Sequence, residues 1–141
     1  MNEIMNLIEQ ALEARKKAYT PYSHFAVGAA LLGKSGRIYT GCNIENAAFT
    51  PTNCAERTAF FKAVSEGEGE FSAIAIVGGR AGEACRSLCP PCGVCRQVMR
   101  EFCTEDFRIY LGTQTAEGTI SYQTTTLGEL LPLSFGPAQI R

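Results

Sequence analysis

Cys54, Cys92, Cys95 and Glu56 have the types and spacing of a hydrolytic metal centre in this 141-residue sequence. Cysteine thiolates are good ligands for Zn²⁺, and three protein ligands leave a fourth position for water, whose pKa the metal lowers to roughly 7. A nearby carboxylate must still move the proton of that water, and Glu56 fits the role. Cys92 and Cys95 stand at i and i+3, so at a helix start both sulfurs fall on one face and can grip a single ion. Cys54 lies near the start of a second predicted helix. If both starts face the metal, their unpaired N–H groups and dipoles favour the thiolate form of all three cysteines. An ideal helix sets positions 54 and 56 well apart around its axis, so periodicity does not explain how both reach one site.

The elements that must position these residues follow from apolar spacing. Ile4, Leu7, Ile8, Ala11, Leu12 and Ala18 predict an amphipathic helix over 2–18, ended by Pro21. Strands over 25–32 and 37–42 flank the turn-rich Gly33-Lys34-Ser35-Gly36 and should form an antiparallel hairpin. Thr50-Pro51 reads as an N-cap with proline at the first helical position, giving a helix over 51–65 with Ala55, Ala59, Phe60, Ala63 and Val64 inward. The nearly all-apolar run 71–77 predicts a central strand. A Gly-, Pro- and Cys-rich loop over 78–91 leads to a helix over 92–102 presenting Val98, Met99 and Phe102.

Strands are expected over 107–111 and 120–124. Their connection, 112–118, is too short for a crossover helix, so this last pair should be antiparallel. A short helix over 126–131 stops before Pro132. Neither repeats nor linkers divide the sequence. The expectation is a single domain over 1–141: an α/β, three-layer α-β-α sandwich around a mixed five-stranded sheet.

Composition narrows the partners. Net charge is −1 and the longest basic run is Arg15-Lys16-Lys17, so the basic excess needed for a phosphate backbone is missing. A small molecule is the expected ligand, with no nucleic acid and no membrane as partner. Glu3 and Glu9 interrupt any signal-peptide pattern, and no stretch approaches membrane-spanning length, so the expected location is cytoplasmic. Seven cysteines, an odd number, argue for metal binding or core packing over a disulfide framework.

Cys54-Ala55-Glu56-Arg57 with Pro91-Cys92-Gly93-Val94-Cys95 resembles the paired signature of zinc nucleoside deaminases, in the variant with three cysteines. Phe25-Ala26-Val27-Gly28-Ala29-Ala30-Leu31 and Gly41-Cys42-Asn43-Ile44-Glu45-Asn46-Ala47 are similar to the short, homotetrameric type of cytidine deaminase. The match runs from about Tyr19 to Phe135. It implies one Zn²⁺ per chain on Cys54, Cys92 and Cys95, and attack of zinc-bound hydroxide on C4 of cytidine or 2′-deoxycytidine. Glu56 would shuttle protons and hydrogen-bond the ring N3, and the Ala55 N–H would meet the ring carbonyl. Asn43 and Glu45 would bind the ribose 3′-hydroxyl, and Phe25 would pack against the base. Arg57 would offset the surplus thiolate charge from behind the ligands. Phe135 would reach into a neighbour's site, and Phe49 stands where many relatives carry Tyr, which removes a hydroxyl near the ribose 5′ side of a neighbouring site.

Plainer readings stand beside these. Cys89 makes a second CxxC with Cys92, so Cys89, Cys92, Cys95 and Cys54 could close a structural Cys₄ site, which would leave Glu56 and Arg57 without a role. Cys42 and Cys103 read as small buried hydrophobes and Cys85 and Cys89 as loop thiols. Phe25, Phe60, Phe61 and Phe107 read as core, and His24, the lone histidine, as a turn residue. Two other functions share the pattern: a deaminase of another cytosine-bearing nucleoside, and a zinc-stabilised module that binds RNA or protein.

Overall fold

The computed structural model describes residues 2–141. Its first helix, α1 (Glu3–Arg15), is capped by Asn2, whose side chain accepts the Met5 N–H at 2.7 Å. Leu7, Ile8, Ala11 and Ala14 are its buried stripe. The helix ends three residues short of the expected 18, so Pro21 is not what stops it. Long-range pairing does: the Tyr19 N–H donates to the Asn43 carbonyl at 3.0 Å and the Glu45 N–H to the Tyr19 carbonyl at 2.9 Å. Arg15 anchors that end, donating to the carbonyls of Ala26, Glu83 and Arg80 at 2.8, 2.8 and 2.7 Å.

The sheet contains β1 (Phe25–Gly33), β2 (Ile38–Cys42), β3 (Phe71–Arg80), β4 (Arg108–Gln114) and β5 (Ile120–Thr126) in the spatial order β2-β1-β3-β4-β5. β1 pairs antiparallel with β2 and β3, β3 pairs parallel with β4, and β4 antiparallel with β5. The mixed sheet, the central place of β3 and the antiparallel last pair therefore match expectation. β3 outruns its predicted end because Gly78, Gly79 and Arg80 continue to pair with Val27, Ala26 and Phe25. Likewise β4 reaches Gln114, opposite Ile120, which shortens the connection to 115–119.

Alternating strand residues face two cores. On one side Ala30, Leu32, Ala73, Ala75 and Val77 meet Leu7, Ile8 and Ala11 of α1. On the other, Ala29, Leu31, Ile74, Ile76, Ile109 and Leu111 meet α2 (Ala55–Ser65) and α3 (Gly93–Phe102), completing the α-β-α layers. Phe60 is central there, with ring centroids 5.0 Å from Phe71 and 6.2 Å from Phe107. Phe61 and Val64, expected inside, are 48% and 38% exposed. Each follows an inward residue by one position, a rotation of about 100° that carries it off the buried stripe.

The start of α2 also differs from expectation. Thr50-Pro51 lies in a turn, and the helix begins at Ala55. Ile44 and Asn53 exchange both backbone hydrogen bonds at 3.0 Å, which holds residue 53 in a bridge and delays the helix. α4 (Leu127–Leu130) opens with a capping box between Thr126 and Glu129. A 3₁₀ turn (Pro137–Gln139), not foreseen from the pattern, follows. No described helix is long and apolar enough to cross a membrane.

Candidate active site

Cys54 is the N-cap of α2, in extended conformation with φ −78° and ψ 157°. Its side chain therefore escapes the 100° step of the helix, which answers how positions 54 and 56 meet at one site. Cys92 caps α3 in the same way, with φ −68° and ψ 167°, and Cys95 sits in the first turn of that helix, 1% exposed. The Cys54 and Cys92 sulfurs are 3.9 Å apart and those of Cys92 and Cys95 3.5 Å. All three lie within 4.8 Å of one another. The two helix starts thus converge. Gly41 permits the approach of α2 to β2, since a Cβ there would stand 2.4 Å from the Ala55 carbonyl oxygen and 2.6 Å from the Ala59 nitrogen.

Electrostatics at the cluster favour charge on the Cys54 sulfur. Arg57 Nη2 donates to Cys54 Sγ at 3.3 Å, while its buried Nε has no acceptor among the described residues. Hydrogen bonding from Cys95, helped by Arg57, pushes Cys54 down to about 5. Cys95, which retains the shared proton beside the Cys54 thiolate, is pushed up for the same reason. Burial pushes the Glu56 carboxyl up to about 7, and the Cys54 charge acts in the same direction. Three sulfurs within reach of one ion, two helix N-termini and a guanidinium behind them fit Zn²⁺.

A cavity of ≈ 220 Å³ lies against the cluster, lined by Cys54, Ala55, Glu56 and Cys92 together with Asn43 and Val27. Ala55 is the first residue of α2, so its N–H has no acceptor within the helix and is available to a ligand. Glu45 and Phe49 line an adjoining hollow of ≈ 310 Å³, with Thr52 common to both. Among the described residues Phe25 and Phe135 line neither hollow; they are 41% and 60% exposed. Asn43 and Glu45 are already engaged. Asn43 accepts the Val27 N–H at 2.9 Å and donates to the Phe25 carbonyl at 2.8 Å, and Glu45 accepts from the Tyr22–Ser23 turn.

Cys89 also lines the cavity, but its sulfur does not join the metal-binding group among the described residues, so the closed Cys₄ reading is not supported. The pattern of the sequence missed its place as cavity wall. The contact exists only in the fold, where a Cβ on Gly78 would stand 2.5 Å from the Cys89 sulfur. Cys85, expected to be a loop thiol, is fully buried in the core under α1. Cys103 is buried as expected, whereas Cys42 is only half-buried.

Fold and site together define a class: an α-β-α protein whose two helix starts present three cysteine sulfurs, placed to hold a metal ion, and a buried acid to one cavity. Comparison with known proteins makes the class specific. The family model described as "Cytidine and deoxycytidylate deaminase zinc-binding region" matches residues 1–111. The chain belongs to this zinc-binding deaminase family. It is 50% identical over 133 residues to a cytidine deaminase of Sporosarcina psychrophila, covering 94% of this chain and 91% of the relative. A cytidine deaminase of Halalkalibacterium halodurans is 52% identical over 129 residues, covering 92% and 91%. The crystal structure of cytidine deaminase from Burkholderia pseudomallei superposes with a TM-score of 0.80 at 46% identity, covering 96% of this chain and 100% of that one. Zn²⁺ is the cofactor of this family, and Cys54, Cys92 and Cys95 form the group that could hold it.

Proposed function

We propose that this chain, as a single domain over 1–141, hydrolyses cytidine and 2′-deoxycytidine to uridine and 2′-deoxyuridine with release of ammonia, a step of pyrimidine salvage in the cytoplasm. The observation that carries this reading is the buried Glu56 carboxyl beside a three-sulfur cluster, in a cavity that also offers Asn43 and the Ala55 amide. Relatives at 50% and 52% identity are named cytidine deaminases, which supports the same substrate.

Zn²⁺ held by Cys54, Cys92 and Cys95 supplies acidification of water at neutral pH. Glu56 takes a proton from the attacking water as the C4–O bond forms and delivers it to the ring N3. It then takes the proton of the new C4 hydroxyl and gives it to the amino group as the C4=O bond forms, the C4–N bond breaks and ammonia leaves. Its raised pKa suits a group that must both take and give a proton near neutrality. The Ala55 N–H holds the ring carbonyl, Phe25 packs against the base, and Arg57 offsets the charge of three thiolates. Asn43 and Glu45 take the ribose 3′-hydroxyl, one as donor and the other as acceptor. A substrate without that hydroxyl leaves the pair unmatched.

The quaternary part of the proposal is a homotetramer in which Phe49 and Phe135 contribute to neighbouring sites. Their 75% and 60% exposure in the isolated chain supports it. The test is an ultraviolet assay of cytidine loss by the zinc-loaded protein, with zinc content and solution mass measured on the same sample. The expected result is turnover with one zinc per chain in a tetramer. A zinc-loaded protein that leaves cytidine intact but binds RNA tightly and salt-dependently would be a binding module instead, and a fully active monomer would remove Phe49 and Phe135 from the site.

A further inference from the structure

Glu45 is aimed by a turn far from it in sequence. One carboxylate oxygen, Oε1, accepts the N–H groups of Tyr22 and Ser23 at 3.0 and 3.1 Å. The other, Oε2, accepts the Ser23 hydroxyl. The same hydroxyl oxygen accepts the Phe25 N–H at 3.0 Å, which leaves the hydroxyl proton free for the carboxylate. A carboxylate has about four acceptor sites, so three are used and one remains for a ligand. Asn43, with its oxygen on Val27 and one amide hydrogen on Phe25, keeps a second amide hydrogen. One acceptor site and one donor remain, which is what a single hydroxyl group requires.

The turn itself is held in place. His24 adopts a left-handed backbone, φ 57°, uncommon for a residue with a side chain. Its N–H donates to the Thr20 carbonyl at 3.1 Å and its carbonyl accepts the Ala81 N–H at 2.8 Å. The residue that follows Ser23 is therefore held at both its N–H and its carbonyl.

We propose that Ser23 is a positioning residue for the sugar subsite: its hydroxyl occupies one oxygen of Glu45 and turns the remaining acceptor site toward the ribose hydroxyl. This rests on the reading that Asn43 and Glu45 bind the 3′-hydroxyl. Ser23 touches no reacting atom, so its effect is on discrimination and KM, with chemistry at C4 unchanged.

The experiment compares kcat/KM for cytidine and 3′-deoxycytidine in the zinc-loaded wild type, Ser23→Ala and Ser23→Thr. Ser23→Ala should lower kcat/KM for cytidine about 10-fold or more, through KM, with little change for 3′-deoxycytidine, narrowing the wild-type ratio by about the same factor. Ser23→Thr, which keeps the hydroxyl, should retain the ratio. Equal losses on both substrates, or an unchanged ratio in Ser23→Ala, overturn the proposal. A wild type that does not distinguish the two substrates overturns the sugar reading of Asn43 and Glu45, and this inference with it. Should Ser23→Ala fail to fold, Ser23→Cys provides the same comparison with a weaker donor: a narrowed ratio supports the role and an unchanged one overturns it.

Discussion

α2 and α3 both begin on a cysteine in extended conformation with no side-chain cap, yet the two starts are built differently. At α3, Cys92, Gly93 and Val94 are exposed, and the first turn has no acidic residue. That start contributes two sulfurs and little else. At α2, Ala55 and Glu56 are buried, Arg57 is half-buried, and Gly41 lets the backbone press against β2. The sulfurs of the cluster are thus divided between the helices, whereas the buried acid and the Arg57 guanidinium belong to α2 alone. The close-packed start is the one bearing the buried acid; if Glu56 moves protons as proposed, that is where small displacements matter most for rate.

The strongest test of this division removes a sulfur from the open start. Cys92→Ala should lose stoichiometric zinc and bring cytidine turnover to background; metal analysis that still finds one zinc per chain would show that Cys92 is dispensable for ligation. Glu56→Gln should separate the two duties, lowering kcat by about 10²–10⁴-fold while zinc stays at one per chain.

The same substitution has a pH signature in the metal-free protein. The Glu56 carboxyl rises from an ordinary 4.5 to about 7 on folding, so the folded state holds this proton more tightly. Stability from that proton is complete below pH 4.5 and is lost as pH rises through 7. Glu56→Gln, which cannot ionise, should match wild type near pH 4 and exceed it by about 3 kcal/mol at pH 8 in denaturant melts. An equal gap at both pH values would remove burial as the cause.

Two glycine substitutions compare the packing of the starts directly. Gly41→Ala, aimed at the backbone of α2, should cost about 1–3 kcal/mol in the same melts and reduce turnover. Gly93→Ala, with nothing within 4 Å of the added carbon, should leave stability unchanged or raise it by up to about 1 kcal/mol. Reversed magnitudes would mean that α3, not α2, is the tightly held start.

Much of this arrangement is written locally. Apolar spacing marks α1, the hairpin of β1 and β2, and the central β3, because a period of 3.6 or 2 is a property of neighbouring residues. The sulfur spacing and the adjoining Glu56 mark the chemistry for the same reason. Other features depend on residues distant in sequence. The Ile44–Asn53 bridge moves the start of α2 from 51 to 55 and frees Cys54 from the helix, so the wrong boundary concealed how Cys54 and Glu56 meet. Backbone pairing of Tyr19 ends α1 early, and helix phase turns Phe61 and Val64 outward.

The amino-acid sequence by itself determined the element types, their order, the antiparallel last pair and the three cysteines and the acid that the fold gathers at one cavity. Only the tertiary structure decided that two helix starts meet across 3.9 Å, that Cys89 lines the cavity while Cys85 enters the core, and that Glu45 accepts hydrogen bonds from Ser23. The physical reason is that composition and period encode which face of an element is buried. Hydrogen bonds and close approaches between separate segments appear only when the packed layers bring those segments together.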